Sequence, residues 1–269
     1  MTTKNIITAS LCLISALGFS SCSKESDSVA KPEEVSQGVL SQIKQLGFTT
    51  QGAMAVDGGY VVEGDIFLSQ QDLTNTTPVN LMRVGAEEQY RTTNLVNTGG
   101  GRNITISVST ALPAAYLTAT DEMIRRYNAE SLTLTMSRVS SGGNITLAQA
   151  PKSARYLASA GFPTSTGNPH NQVLINSNAI GTANPTTYIA TILAHEVGHC
   201  IGFRHTDYMD RSFSCGGSVS NEGASTVGAI LITGTPATAD PNSFMLACIG
   251  SGVNRPFNAN DVFALKTVY

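Results

Sequence analysis

The sequence predicts an α+β chain: short alternating runs that read as strands, two long helices, and a Gly-rich C-terminal part closing on a helix. Three stretches carry this. Asn103-Ile104-Thr105-Ile106-Ser107-Val108-Ser109 alternates with the period of a half-buried strand. Pro113 to Ala129 offers Ala115, Leu117, Met123, Ile124 and Tyr127 as the buried face of a helix. Asn184 to Gly202 is apolar almost all round, as a central buried helix is. With 269 residues, 41% hydrophobic and 13% charged, the chain can pack one domain after loss of an export segment. The net charge of -3 and the lack of a basic run argue against a nucleic-acid partner.

Residues 1–21 read as a signal peptide, with Lys4 ahead of an apolar run from Ile6 to Phe19 that falls short of the ~20 residues a spanning helix needs. Small residues then precede Cys22. That is similar to a bacterial lipobox, although Phe19 stands where Leu is usual, and Ser23-Lys24-Glu25-Ser26-Asp27 is similar to the charged segment of surface-exposed Bacteroidetes lipoproteins. Lipidation at Cys22 would anchor the chain to a membrane without threading it through; ordinary cleavage and secretion is the alternative. Residues 22–34 form a flexible tether. Val35 to Leu46 has the spacing of a short amphipathic helix ended by Gly47.

Tyr60 to Leu68 is a strand-forming run after the turn signal Asp57-Gly58-Gly59, and Gly64-Asp65 interrupts it. Residues 75–101 are polar and carry Arg83 and Arg91, sites at which a trypsin-like enzyme could cut. Residues 35–90 are therefore read as a pro-segment and 91–269 as the working domain. Within the latter, Ser131 to Ser137 and Asn144 to Gln149 are strands around the turn Ser141-Gly142-Gly143. Gln172 to Asn176 is expected to be the edge of the sheet, where an extended peptide could pair. His170 reads as a loop residue, with a substrate contact as the alternative. Asn184 suits an N-cap and Pro185 the first turn of the long helix, whose stripe Ile189, Leu193, Val197 and Cys200 faces the core. Asn258 and Asp261 form a capping box that starts a last helix through Val262, Leu265 and Val268.

Chemistry concentrates in His195-Glu196-Val197-Gly198-His199-Cys200-Ile201-Gly202-Phe203-Arg204-His205, which reads H-E-x-x-H-x-x-G-x-x-H. His195 and His199 project from one helical face, one turn apart. Glu196 sits about 100° round the helix, beside an ion without ligating it. Gly202 can take a backbone angle closed to other residues, which turns the chain and returns His205 as a third ligand. Three nitrogens leave a fourth corner open, as in catalytic zinc sites. The chain has 4 His, and three of them fall in this stretch. No calcium loop is recognisable. Tyr208 reads as surface packing, with a role at the metal as the alternative.

The extended motif with Ser243-Phe244-Met245 downstream resembles the metzincins, and the HEIGH-type metallopeptidases of Bacteroidetes among them, from about Gly47-Phe48 to Tyr269. Astacins and pappalysins are more distantly similar. The resemblance implies an N-terminal mixed sheet with two long helices, a small irregular C-terminal sub-domain after Gly202, and a cleft between them. It implies Zn2+ on His195, His199 and His205, Met245 in the Met-turn, and endopeptidase hydrolysis with Glu196 as general base. A monomer acting on peptides or proteins is expected. Val62-Glu63-Gly64-Asp65 is similar to the F-x-G-D segment of astacin pro-peptides, which implies that Asp65 silences a zymogen by taking the open corner; a hairpin turn is the other reading of Gly64-Asp65. The chain departs from astacins at Thr206, where Glu is expected, and at Ala247, where Tyr is. Cys215–Cys248 is the favoured disulfide, with Cys200 a buried thiol and Cys200–Cys248 the alternative. An inactive metzincin-like binding lipoprotein is the competing function.

Overall fold

The computed structural model describes residues 34–74, 89–223, 227–236 and 238–269. The export segment, Cys22, nearly all of the tether and Arg83 lie outside the described residues. Helix α1 (Gln37–Gln45) starts on Ser36, whose hydroxyl accepts from the Val39 N–H. Three short strands follow, β1 (Met54–Val56), β2 (Gly59–Val62) and β3 (Ile66–Ser69), and then α2 (Gln70–Thr74). The turn between β2 and β3 is Glu63-Gly64-Asp65, with φ of 54° and 95° at its first two residues. Glycine meets them freely, whereas Glu63 is held there by what its side chain touches.

Next come β4 (Tyr90–Arg91), β5 (Arg102–Val108) and α3 (Ala115–Ala129). Strands β6 (Leu134–Val139), β7 (Ile145–Gln149), β8 (Ala158–Ala160) and β9 (Gln172–Ile175) complete the main sheet. Its eight strands run in the order β1-β2-β3-β8-β9-β7-β5-β6. Strands β6, β5, β7 and β9 are mutually parallel, β8 returns antiparallel to β9, and β3 lies parallel to β8 through the pair Ile66↔Ala160. The expectation that 172–176 forms the sheet edge is therefore corrected. Strand β9 is internal, and β8 is the catalytic sheet's last strand before the N-terminal meander. Ala-Ser-Ala has no strand signal of its own; its pairing partners define it.

After α4 (Ser177–Ile180) comes the long helix α5 (Thr186–Ile201). Pro185, not Asn184, holds the N-cap place, because the Asn184 amide is drawn back to the Ile180 carbonyl at 2.7 Å. Helix α5 packs on α3 and is buried from Tyr188 to Ile201. The buried face of α3 is Tyr116, Ala119, Met123 and Tyr127, while Leu117 is exposed. Tyrosine can take the inward place because its ring is apolar and its hydroxyl finds a partner: Tyr127 donates to the Ala194 carbonyl at 2.7 Å.

Beyond Gly202 the chain is irregular, with α6 (Ser212–Cys215), β10 (Ile230–Leu231) paired to β4, and a final α7 (Ala259–Val268). The Asn258–Asp261 capping box is present at the start of α7. No helix among the described residues is long and apolar enough to cross a membrane. The largest apolar core joins α3, α5 and the parallel strands. A smaller one joins Val35, Ile43, Leu46, Phe48 and the β2–β3 hairpin.

Candidate metal centre

Helix α5 and the turn that ends it build the site. Gly202 stops the helix with φ 111° and ψ 11°, and its N–H bonds back to the Gly198 and His199 carbonyls. A Cβ there would come within 2.8 Å of Leu95 as well as meeting strain from the positive φ. The segment after it is then gripped as a strand by its neighbour. Thr92 N–H donates to Gly202 at 2.8 Å, Arg204 N–H donates to Tyr90 at 2.9 Å, and Arg91 bridges Phe203. This pairing, absent from any local sequence signal, is what aims His205 back at the helix.

Nε2 of His199 lies 3.1 Å from that of His195 and 3.2 Å from that of His205. Asp65 Oδ2 stands 3.2 Å from His205 Nε2 and 3.4 Å from His195 Nε2. All four ligand atoms fall within 4.8 Å of one another. Atoms ~2.0–2.1 Å from one tetrahedral zinc stand ~3.3 Å apart, so the cluster has the dimensions of a four-coordinate site. The residues present fit the ion that their types suggest.

The far nitrogen of each ring is engaged. His195 Nδ1 meets the Phe244 carbonyl at 2.9 Å, His199 Nδ1 the Phe203 carbonyl at 2.8 Å, and His205 Nδ1 meets Glu222 Oε1 at 2.8 Å. An acceptor at Nδ1 fixes the proton there and leaves the Nε2 lone pair for a metal. Burial, reinforced by the neighbouring imidazoles, pushes His199 well below the usual histidine range, which keeps its ring neutral.

Met245 is buried beneath the site. A Cβ added to Gly198 would meet its sulfur at 2.6 Å, so the glycine inside the motif is the space the methionine fills. Asp261 of α7 pins this turn. Its carboxylate accepts from the Phe244 N–H at 3.1 Å and from the Ser243 hydroxyl at 2.8 Å. Cys215 and Cys248 are joined, with Cα atoms 5.1 Å apart, and Cys200 is a buried free thiol. Tyr208 packs edge-on against Tyr90, ring centroids 4.4 Å apart. His170 lies in the loop between β8 and β9, against Gly161 and Phe67.

A cavity of about 260 Å³ opens beside the cluster, lined among others by Asp65, Tyr156, Ala158, His195, Glu196 and Phe244. Glu196 is buried. Burial first, and the Asp65 charge second, push its carboxyl well above the ordinary range. Its Oε2, Asp65 Oδ1 and the Tyr156 hydroxyl are buried without a hydrogen-bond partner. Three orphaned polar atoms on residues of one cleft mark a place built to be filled.

Reasoning from sequence missed a buried charge network behind His205. Arg204, fully buried, reaches Glu63 at 3.4 Å and Glu222 at 3.7 Å, and Arg211 Nε reaches Glu222 Oε1 at 3.1 Å. Arg204 itself was the available signal, a charged side chain between two residues that must be inside. Glu222, set in a Gly- and Ser-rich stretch, gave none.

The helix, the returning histidine and the methionine floor on a mixed sheet are a metzincin-like arrangement, which marks the chain as a metallopeptidase. Residues 60–269 match the model of the dual-action HEIGH metallopeptidases, and the chain belongs to that family. Among solved structures, one of myroilysin is 16% identical, covering 63% of this chain and 93% of the other at a TM-score of 0.42. A second myroilysin structure is 14% identical, with 65% and 93% covered at a TM-score of 0.38. No curated protein matches the chain.

Proposed function

We propose that this metallopeptidase is a zinc endopeptidase made as a latent zymogen, with Glu196 as its general base. The observation that carries it is the convergence of three Nε2 atoms, each ring locked by an acceptor at Nδ1, with Asp65 Oδ2 at the remaining corner. A bound zinc supplies Lewis acidity at a scissile carbonyl and lowers the pKa of an adjacent water to ~7. Glu196 Oε2, buried at the cleft, would be the group that takes a proton from a water there and returns it to the leaving amine. Asp65 holds the place this water needs, so the intact chain is silent until the segment bearing Asp65 leaves.

The peptide lies along β8. Ser159 bonds toward β9, so Ala158 and Ala160 turn their backbone groups the other way. Ala160 N–H already donates to the Asp65 carbonyl at 3.0 Å, while Ala158 lines the cleft. The export segment and Cys22 support an outer-membrane or cell-surface lipoprotein, with secretion as the alternative. Fatty-acid labelling lost in Cys22→Ala would test the anchor.

Casein hydrolysis by purified protein, before and after Asp65→Ala and with or without a chelator, tests the enzyme reading. The uncut Asp65→Ala chain should hydrolyse casein, lose that activity to the chelator, and lose it again on addition of Glu196→Ala with zinc still bound. An uncut Asp65→Ala chain as silent as wild type would sink latency. Equal hydrolysis after Glu196→Ala would sink the general base.

A further inference from the structure

The cleft has one feature that hydrolysis itself does not use, and its interpretation rests on the peptidase reading. Three guanidinium groups line it, from Arg155, Arg211 and Arg255, against the carboxylates of Asp65 and Glu196. The chain as a whole carries a net charge of -3, so three arginines gathered at one cleft run against its overall balance. Departure of Asp65 makes the cleft more positive as it opens. Low-dielectric walls then focus that charge on whatever enters.

The three arginines are not equivalent. Arg211 is taken by Glu222 at 3.1 Å. The other arginine salt bridges among the described residues engage Arg125, Arg126, Arg138 and Arg204; Arg155 and Arg255 touch no carboxylate, although Asp207, Asp261 and Asp240 act on Arg255 from farther off. Arg155 is exposed just ahead of β8. Arg255 is partly buried and held in place. Its backbone N–H donates to Thr191 Oγ1 at 3.0 Å, and its Nη1 donates to the Cys248 carbonyl at 3.3 Å. Cys248 is in turn fixed by the disulfide. Burial pulls the Arg255 guanidinium below its ordinary range, the mark of a cation short of water.

A partly desolvated arginine with no carboxylate in contact has its fork free for one, and that planar fork matches a carboxylate. Ile192, Leu246 and Ile249 give the same cleft an apolar wall, suited to the methylene groups of an acidic side chain. We propose that Arg255, assisted by Arg155, binds a substrate carboxylate beside the bond being broken. That carboxylate belongs to an Asp or Glu side chain or to the end of the substrate chain. Direction follows from β8. Antiparallel pairing is the more stable, and it carries the C-terminal half of a peptide from the Asp65 level at Ala160 toward Leu157 and Arg155. The acid therefore lies on the leaving-amine side.

The full chain with Asp65→Ala, or wild type treated with a trace of trypsin, is offered matched peptides carrying Asp, Glu, Asn or Gln on either side of one bond. Each is supplied with a free and an amidated C-terminus. Binding of the same peptides to Asp65→Ala/Glu196→Ala, followed by fluorescence anisotropy, reads the preference without turnover. We expect kcat/KM and affinity at least about tenfold higher for Asp or Glu over the amides on the leaving side, carried mainly in KM. Arg255→Gln should bring that ratio close to one, and Arg255→Lys should keep part of it. A preference that vanishes on amidation assigns the carboxylate to the chain end; one that survives assigns it to the side chain. Equal handling of acidic and neutral peptides in both assays overturns the carboxylate site while leaving the peptidase reading intact. Failure to cleave any peptide, with or without chelator, would tell against the peptidase reading instead, and the binding ratio would still decide the site.

Discussion

The two sides of the metal cluster are supported differently. His195 and His199 sit on α5, and their outer nitrogens meet main-chain carbonyls, Phe244 and Phe203. His205 sits on a loop, and its outer nitrogen meets a carboxylate that belongs to a largely buried cluster of ionisable groups, Glu222, Arg204, Arg211 and Glu63. No side-chain substitution removes a carbonyl. The helical side is thus insulated from mutation at its supports, while the loop side depends on one glutamate and, through Arg204, on the N-terminal hairpin.

The sharpest way to break this contrast is Glu222→Ala. It strips His205 of its acceptor and leaves Arg204 and Arg211 short of a buried partner. We expect a loss of about 3–5 kcal/mol in denaturant unfolding and a 10–100-fold weaker hold on zinc by titration against a chelator, to order of magnitude. Unchanged zinc affinity would mean that Glu222 serves charge balance alone.

The fourth histidine sharpens the same comparison, because His170 is half-buried and no acid among the described residues is in contact with its ring. Burial, against a small opposing effect of Asp72, pushes it down to about 4. Its stability contribution is therefore whole above about pH 6.5, where folded and unfolded forms are both neutral. It is lost as pH falls from there toward 4, since only the unfolded chain takes up the proton. Urea unfolding across that window should show up to about 3 kcal/mol of loss that His170→Gln flattens.

On the helical side, Gly198→Ala gains helix propensity but drives a methyl to 2.6 Å from the Met245 sulfur and 3.0 Å from the Phe244 ring. Overpacking should win by about 1–2 kcal/mol, seen as a lower Tm with zinc content kept. The smallest effect is expected at Glu63→Gln. Burial and the Glu222 charge push Glu63 well above the ordinary range, against the pull of Arg204, so the amide mimics its protonated form. A change within about 1 kcal/mol in urea unfolding of the intact chain is expected. A large loss would show that Glu63 works as an anion.

What the sequence made legible divides along the same line. Three histidines at fixed offsets, a glycine that must turn left-handed and the Asn258–Asp261 cap are rules of a single helix, and local spacing carries them. Met245 was found because a motif places it. Strand β8 was not found, since Ala158-Ser159-Ala160 becomes a strand only through β3 and β9. Glu222 was not found because it lies 17 residues beyond His205 in a stretch without periodicity. The inward face of α3 was read correctly at Met123 and Tyr127 but misjudged at Leu117, where counting apolar letters passed over the ring of Tyr116.

The single pairing of Ile66 with Ala160 has a last consequence. Whatever unseats the hairpin also bares the rim of a sheet, and a bare rim invites any extended chain, including a sibling molecule. Here the rim is only three residues long, closed at one end by the glycine and proline of Gly161-Phe162-Pro163. Brevity of that kind lets a guest settle briefly and depart, and gives self-association too little length to take hold.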